Sequence, residues 1–209
     1  MRKTIEKNAK LLALFAIACT ALIGLVDFLT KDKIIEQQQQ QLISTLANII
    51  EPDTHDNLMT QSCVMINDQL LGELPQKAYL ATNKNTPVAA AITTTAPDGY
   101  NGNILLIVAI TTDGTVSGVR TIKHQETPGL GDKIEIRKSA WILDFTDKKI
   151  LEEKDARWAV AKDGGMFDQF TGATITPRAV VNAVKRTVLY FNQHKAALFN
   201  TTPNCVGNL

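Results

Sequence analysis

The sequence lacks the features that identify several large classes of protein. Its 22 lysines and arginines are balanced by 21 aspartates and glutamates, and the formal charge of +1 leaves no basic excess for binding nucleic acid. Neither the three cysteines nor the three histidines show metal-ligand spacing, and no G-x-S-x-G, H-E-x-x-H or Walker sequence occurs. We therefore expect no nucleic-acid partner, no metal and no catalytic constellation, although triad residues scattered along the chain would escape a search for motifs.

One long apolar run is present near the N-terminus. Residues 11–29 read LLALFAIACTALIGLVDFL, and their number is close to the roughly 20 residues that span a bilayer core. A cleaved signal peptide would have an apolar core of only about 7 to 15 residues, followed by small residues that this run lacks. The flank before the run is basic and the flank after it is balanced, so residues 1–10 are expected in the cytoplasm. The run predicts one transmembrane helix in a lipid bilayer, with the main domain on the outer side.

Residues 30–76 are expected to connect the membrane to that domain. The connector begins as a helix over residues 31–50, which ends at Glu51-Pro52-Asp53 and is followed by a polar stretch. Two cysteines lie outside the apolar run, Cys63 and Cys205, and the sequence leaves open whether they form a disulfide or stay free.

From residue 77 to residue 209 the pattern predicts a domain of the α+β class, with an antiparallel sheet and flanking helices. Turns are predicted at Pro97-Asp98-Gly99 and, as a type I′ hairpin, at Thr112-Asp113-Gly114-Thr115. Strands are predicted over residues 77–81, 87–95, 103–111, 115–124 and 157–161, and helices over residues 134–145 and from Pro177 to about Leu198.

Residues 168–177, DQFTGATITP, place hydroxyl groups in front of the last helix. Thr176 followed by Pro177 is typical of a helix start, because threonine caps free amides and proline fits the first turn. Thr174 would then lie just outside the helix, where unpaired N–H groups and about half a unit of positive charge attract a phosphate. Gly172 and Ala173 leave room for a bulky group. Taken alone, such a sequence more often only caps a helix.

A second loop, residues 124–132 with the sequence HQETPGLGD, leaves the predicted sheet edge. Its glycines allow a close approach of the backbone to a flat ligand, Thr127 offers a hydroxyl and Glu126 a carboxylate. In isolation this loop is better explained as a tight connector.

Together the two loops resemble one family. D-x-x-T-G-A-T over residues 168–174 is similar to the acceptor motif of proteins that carry FMN on threonine, and E-T-P-G-L-G over residues 126–131 is similar to a segment of the same proteins. With the apolar run, they resemble the G subunits of the Rnf (Rsx) ion-translocating electron transport complexes over nearly the whole chain. The C subunit of the sodium-translocating NADH:quinone reductase shares the acceptor motif, and its usual serine is Thr171 here, which keeps the hydroxyl.

The resemblance implies a covalent cofactor and a set of partners. FMN would be joined to Thr174 by a flavin transferase that draws on FAD, within a flavin segment of about residues 101–192. The protein would relay electrons to other membrane subunits, between a ferredoxin-like and a nicotinamide pool and coupled to cation movement, from the periplasmic side of a bacterial inner membrane. No independent activity is expected. The implied flavin-site residues are Thr171, Gly172, Ala173, Thr176, Glu126, Thr127, Gly129 and Leu130, with Asp168 serving attachment.

Two other functions stay open at this point. The chain could be a membrane-anchored extracytoplasmic adaptor without a cofactor, or a flavin-dependent reductase that acts on a free substrate.

Overall fold

The computed structural model describes residues 2–205 and confirms the α+β class. Short 3-10 helices lie between the main elements, at Pro52–Thr54, Gly131–Ile134, Ala140–Phe145 and Ala161–Asp163. In the described residues the α-helices are α1 (Arg2–Ile49) and α2 (Ile175–Asn200), and the strands are β1 (Cys63–Ile66), β2 (Gln76–Asn83), β3 (Thr86–Gly99), β4 (Gly102–Thr111) and β5 (Val116–Lys123).

Helix α1 contains both the predicted span and the predicted helix that follows it, without a break. Among the described residues it is the one helix that is long and apolar enough to cross a membrane, judged by length and composition. The apolar side chains of the run are exposed, as for example Leu12 and Ile17. The helix ends at Ile49, as Glu51-Pro52-Asp53 predicts, and the chain divides between residues 42 and 43 into two compact units.

The five strands form one antiparallel sheet in which each strand pairs with the next along the chain, in the order β1-β2-β3-β4-β5. Strands β2 to β5 confirm the four strands predicted between residues 77 and 124. Strand β1 is not predicted by the sequence, because its four residues lie in a polar stretch and too few of them alternate to give a pattern.

The hairpin turns differ from the prediction. At Asp113-Gly114 only Gly114 has a positive φ, of 88°, so this is not the type I′ turn that the sequence suggests. The turn with two positive φ values joins β2 to β3 at Lys84 and Asn85, with φ of 49° and 62°. The β3–β4 turn lies just beyond the predicted Pro-Asp-Gly, because an irregularity in pairing keeps those residues in β3 until Gly99.

Helix α2 packs across β3 and β4 and closes the core. The residues that recur at helical spacing along α2 form one stripe on the sheet, and every member of the stripe is buried. A fully buried valine or phenylalanine contributes about 1.5–3 kcal/mol relative to an exposed one, so this stripe is the main attachment of the helix to the sheet. The stripe consists of Ala179, Val180, Ala183, Val184, Thr187, Val188 and Phe191.

Two predictions between the sheet and α2 are wrong. Residues 134–145 form no continuous helix, because Ser139 is extended and its side chain accepts the N–H of Trp141 to start a separate 3-10 helix. Residues 157–161 form no strand. Val160 makes a single bridge to Phe167, after which the chain turns through a 3-10 helix that Gly164 ends with a φ of 83°.

The end of the described chain returns to the first strand. Cys205 forms a disulfide with Cys63, with their Cα atoms 5.3 Å apart. The N–H of Asn204 donates to the Cys63 carbonyl over 2.9 Å, and the Asn204 side chain accepts the N–H of Met65 over 2.7 Å. The tail therefore covers the outer edge of β1, which would otherwise leave strand N–H and C=O groups unpaired.

Candidate functional site

The two loops that carry the sequence motifs meet in a cleft of about 260 Å³. Two of its lining residues, Tyr100 and Ile175, are not among the predicted site residues. Tyr100 follows a predicted turn and Ile175 follows Thr174, and only the folded chain shows that both line the cleft. Among the predicted site residues, Gly129, Thr171 and Asp168 do not line it. The predicted residues that do are Glu126, Thr127, Leu130, Gly131, which ends the E-T-P-G-L-G segment, Gly172, Ala173, Thr174 and Thr176.

A tight turn presents the Thr174 side of the cleft. The N–H of Ala173 donates to the Phe170 carbonyl over 3.1 Å, and Gly172 has a φ of 82°, which non-glycine residues adopt only with strain. A glycine with positive φ in the third position is the requirement of a type II turn. The turn therefore depends on the glycine of the T-G-A-T motif and directs the chain into α2.

An aromatic cluster packs against the loop that precedes Thr174. The indole N–H of Trp141 donates to the Asp168 carbonyl over 2.8 Å, and its ring meets Phe170 edge to face with ring centroids 5.0 Å apart. Phe145 stacks on Phe167 at 4.4 Å, and Trp158 completes the cluster. The backbone of Asp168 is thus fixed while its carboxylate stays exposed.

Helix α2 begins two residues earlier than predicted. It starts at Ile175, so Thr174 occupies the N-cap position, and Thr174 makes no capping bond through its side chain. The prediction that Thr176 caps the helix is wrong, because its hydroxyl is buried and donates to the carboxylate of Glu126 instead. Within residues 2–205 the Thr174 hydroxyl has no hydrogen-bond partner, and it lies half-buried where free helix N–H groups and the positive end of the helix dipole face the cleft.

Glu126 also lines the cleft and is only 4% exposed. Besides the hydroxyl of Thr176, its carboxylate accepts the N–H groups of Asn101 and Tyr100, over 3.0 and 3.3 Å. Its own N–H donates to Nδ1 of His124 over 3.0 Å. Because Nδ1 accepts, the proton of a neutral imidazole is on Nε2, which donates to Glu135 over 2.7 Å.

A surface ion pair flanks the start of α2. Arg178 donates from Nε and Nη2 to the two carboxylate oxygens of Asp163, over 2.7 and 2.8 Å. These hydrogen bonds from Arg178 hold the pKa of Asp163 below its usual value. Arg178 is thereby engaged by Asp163, and none of the described residues that line the cleft is basic, so the start of α2 is the part of the lining that attracts an anion.

Two family models match separate parts of the chain. A family model described as an RnfG N-terminal region matches residues 1–49, and one described as an FMN-binding domain matches residues 99–188. The second match contains both loops of the cleft.

Full-length relatives agree. Proteins named as the G subunit of an ion-translocating oxidoreductase complex are similar to the chain over nearly their whole length. The one from Shewanella loihica is 55% identical over 207 residues, which is 98% of each chain. The one from Vibrio cholerae is 51% identical over 208 residues, covering 99% of this chain and 100% of the relative. The one from Pseudoalteromonas atlantica is 49% identical over 211 residues, covering 100% and 98%.

Proposed function

Because the chain belongs to the family of G subunits of ion-translocating oxidoreductase complexes, where its FMN-binding domain serves electron transfer, we propose that its FMN is attached to Thr174 through a phosphoester bond. The observation that carries the proposal is the hydroxyl of Thr174, which is without a partner in the described chain and opens into the cleft at the start of a 26-residue helix.

The residues present fit the phosphate end of FMN. A phosphate bound to Thr174 would lie at the N-terminus of α2, where free N–H groups and the helix dipole stabilise an anion. Gly172 and Ala173 add no bulk beside it. The cleft of about 260 Å³ is slightly below the roughly 300–1,000 Å³ of sites that enclose a drug-sized ligand. It therefore suits a group that is anchored covalently at one end and partly open to its surroundings.

The attachment reaction balances with FAD as the donor. Thr174 Oγ1 forms a bond to the phosphorus of the FMN half, the pyrophosphate bond of FAD breaks, and AMP leaves. The hydroxyl proton passes to a base of the flavin transferase or to water. The half-exposed position of Thr174 makes this group accessible to a second enzyme.

In the working complex this chain's own residues have a modest task. Bound FMN supplies the redox chemistry, because it can accept and release electrons one at a time. Tyr100, Leu130 and Ile175 form an apolar rim that limits water at the cleft, while Glu126 and Thr127 supply polar groups on its walls. No substrate of its own is needed, since the electrons pass between neighbouring subunits of the membrane complex.

The basic flank before residues 11–29 supports a cytoplasmic N-terminus, an α1 segment in the bilayer of a bacterial inner membrane, and a periplasmic domain. The flavin transferase acts there during maturation. Electrons then run between ferredoxin-like and nicotinamide pools, coupled to cation transport.

Replacement of the acceptor tests the proposal. We expect Thr174→Ala to remove covalent flavin completely and to change the free energy of unfolding by less than about 0.5 kcal/mol, because the lost hydroxyl makes no hydrogen bond. The measurement is flavin fluorescence after denaturing electrophoresis of protein made with the transferase, together with the mass of the peptide that contains residue 174. Thr171→Ala is the matched control and should still carry flavin.

Three outcomes would point to a different acceptor or a different function. Flavin retained by Thr174→Ala places the bond on Thr171 or Thr176. A colourless wild-type protein favours the adaptor, and turnover of a soluble donor and acceptor by the isolated protein favours the reductase.

A further inference from the structure

The geometry points to Glu126 as a positioning residue that pre-forms the acceptor site by holding α2 in place, and not as a ligand of the flavin. This inference rests on the proposed attachment of FMN to Thr174. It concerns how the chain brings its two motifs into register before any cofactor is present.

The hydrogen-bond capacity of the Glu126 carboxylate is nearly filled by the protein. An ionised carboxylate has about four acceptor positions, and three are used by the N–H groups of Tyr100 and Asn101 and the hydroxyl of Thr176. Glu126 and its donors belong to three segments that are far apart in the chain: the loop of residues 124–132, the β3–β4 turn and the first turn of α2. The carboxylate thus joins all three walls of the cleft at one point.

The backbone packs tightly around this carboxylate at two glycines. A Cβ on Gly131 would lie 2.8 Å from Thr176 Oγ1 and 3.0 Å from Glu126 Oε2. A Cβ on Gly99 would lie 3.0 Å from Glu126 Oε1 and closer still to the Gly102 carbonyl oxygen. The last glycine of E-T-P-G-L-G is therefore required by the contact between Glu126 and Thr176, which lies two residues beyond the T-G-A-T motif. This contact joins the two segments that carry the motifs.

Charge argues for the same role. A phosphate at Thr174 is anionic, and a buried carboxylate repels an anion that it does not share a proton or cation with. Glu126 is better suited to fix Thr176, two residues beyond the acceptor, than to contact the phosphate. Because Thr174 and Thr176 lie in the same helical turn, a shift of Thr176 displaces the acceptor hydroxyl with it.

The test measures the rate of flavin attachment to the full chain in detergent, with purified transferase and FAD. In Glu126→Gln, the new amide NH₂ group faces a backbone N–H donor in both orientations of the side-chain amide, because each oxygen of Glu126 accepts such a donor. Thr176→Val removes the hydroxyl and keeps a similar side-chain volume. We expect each to lower the maximal rate by about tenfold or more, since a displacement of about 1 Å can slow a reaction about a hundredfold. The acceptor concentration at half-maximal rate should not change. Thr176→Ser, which keeps the hydroxyl, should restore most of the rate.

Thr187→Val is the matched control for lost stability. Thr187 is a second buried threonine of α2, and its hydroxyl bonds only to the Ala183 carbonyl within the helix, over 2.8 Å. Its replacement removes a buried hydroxyl away from the cleft, so the attachment rate should stay at the wild-type value. The double variant Glu126→Gln/Thr176→Val should be no slower than the slower single variant, because both changes break one contact.

Three results would overturn the inference: wild-type rates for folded Glu126→Gln and Thr176→Val, an equal loss in Thr187→Val, or a double variant whose losses multiply. If Glu126→Gln fails to fold, the attachment rates of Thr176→Val, Thr176→Ser and Thr187→Val are sufficient to test the inference. Failure of the proposed function has a different appearance, because the wild-type chain then takes up no flavin at Thr174.

Discussion

Gly131→Ala is expected to lower the free energy of unfolding, and the structure defines the contacts that are responsible. The new Cβ would lie 2.8 Å from Thr176 Oγ1 and 3.0 Å from the Cβ of Glu126, and both neighbours are buried. Overpacking of this kind costs about 1–3 kcal/mol, and displacing a hydroxyl from a charged acceptor costs a similar, overlapping amount of about 1.5–3 kcal/mol. Alanine also lowers the entropy of the unfolded chain, which returns about 0.4–1 kcal/mol.

The net expectation is a loss of about 1–3 kcal/mol in the free energy of unfolding, or a decrease in Tm of roughly 2–12 °C for a domain of this size. Tryptophan fluorescence during denaturation of the full chain in detergent is a suitable assay. The sequence has two tryptophans, and both Trp141 and Trp158 lie in the buried aromatic cluster. Their emission therefore reports on the domain and not on the apolar run.

Gly129→Ala supplies the comparison within the same motif. Gly129 has a φ of 77°, but a Cβ added to it would have no atom of the described chain within 4 Å. Its replacement therefore meets only the backbone penalty of about 1–2 kcal/mol, less the same entropic return. In a Thr176→Ala background, Gly131→Ala should lose much of its effect because the nearest clashing atom is gone. A larger loss for Gly129→Ala, or an undiminished loss for Gly131→Ala beside Thr176→Ala, would refute the reasoning.

Three further outcomes are expected. Replacing Cys63 and Cys205 by serine should destabilise the domain by roughly 2–5 kcal/mol, because their disulfide closes a loop across a sequence separation of 142. Full thiol labelling of unreduced, denatured wild-type protein would show that there is no disulfide. Hydrogen bonds from Arg157 lower the pKa of Asp155, so the Asp155 carboxylate stabilises the fold above its unfolded pKa of about 3.9, and this contribution decreases as the pH falls below that value. In urea denaturation, the difference in the free energy of unfolding between wild type and Asp155→Asn should therefore decrease from pH 6 to pH 3. A constant difference would contradict the prediction. A C-terminal reporter that is active only in the cytoplasm should stay dark, and its activity would reverse the proposed topology.

Those parts of the fold that depend on local patterns follow from the sequence. Strands β2 to β5 have enough apolar and β-branched residues to show themselves, and the stripe of α2 repeats at helical spacing. Strand β1 does not, because its place is set by pairing with β2 and by contacts to residues 204 and 205. Residues 134–145 look helical by composition, yet the side chain of Ser139 competes for the backbone and divides them.

In the candidate site, too, the features that depend on contacts between distant residues could not be predicted from the sequence. Both loops could be selected from their residues, and the structure brings them into one cleft. The role of Thr176 could not be predicted, because its partner Glu126 is 50 residues away and a Thr-Pro pair by itself indicates a cap. Tyr100 could not be predicted for a similar reason, since it reaches the cleft only through a turn that is displaced from the predicted one.

The order of the strands has a consequence for how the chain is made. Every pairing in the sheet joins neighbours in sequence, so each needs only a short loop to close, and local contacts favour fast folding. A chain that emerges N-terminus first can add one strand after another as it is synthesised. Helix α2, which covers β3 and β4, arrives more than fifty residues after β5 ends. During that interval the nascent sheet has an uncovered apolar face, and this is the stage of biogenesis at which a chaperone has the most to protect.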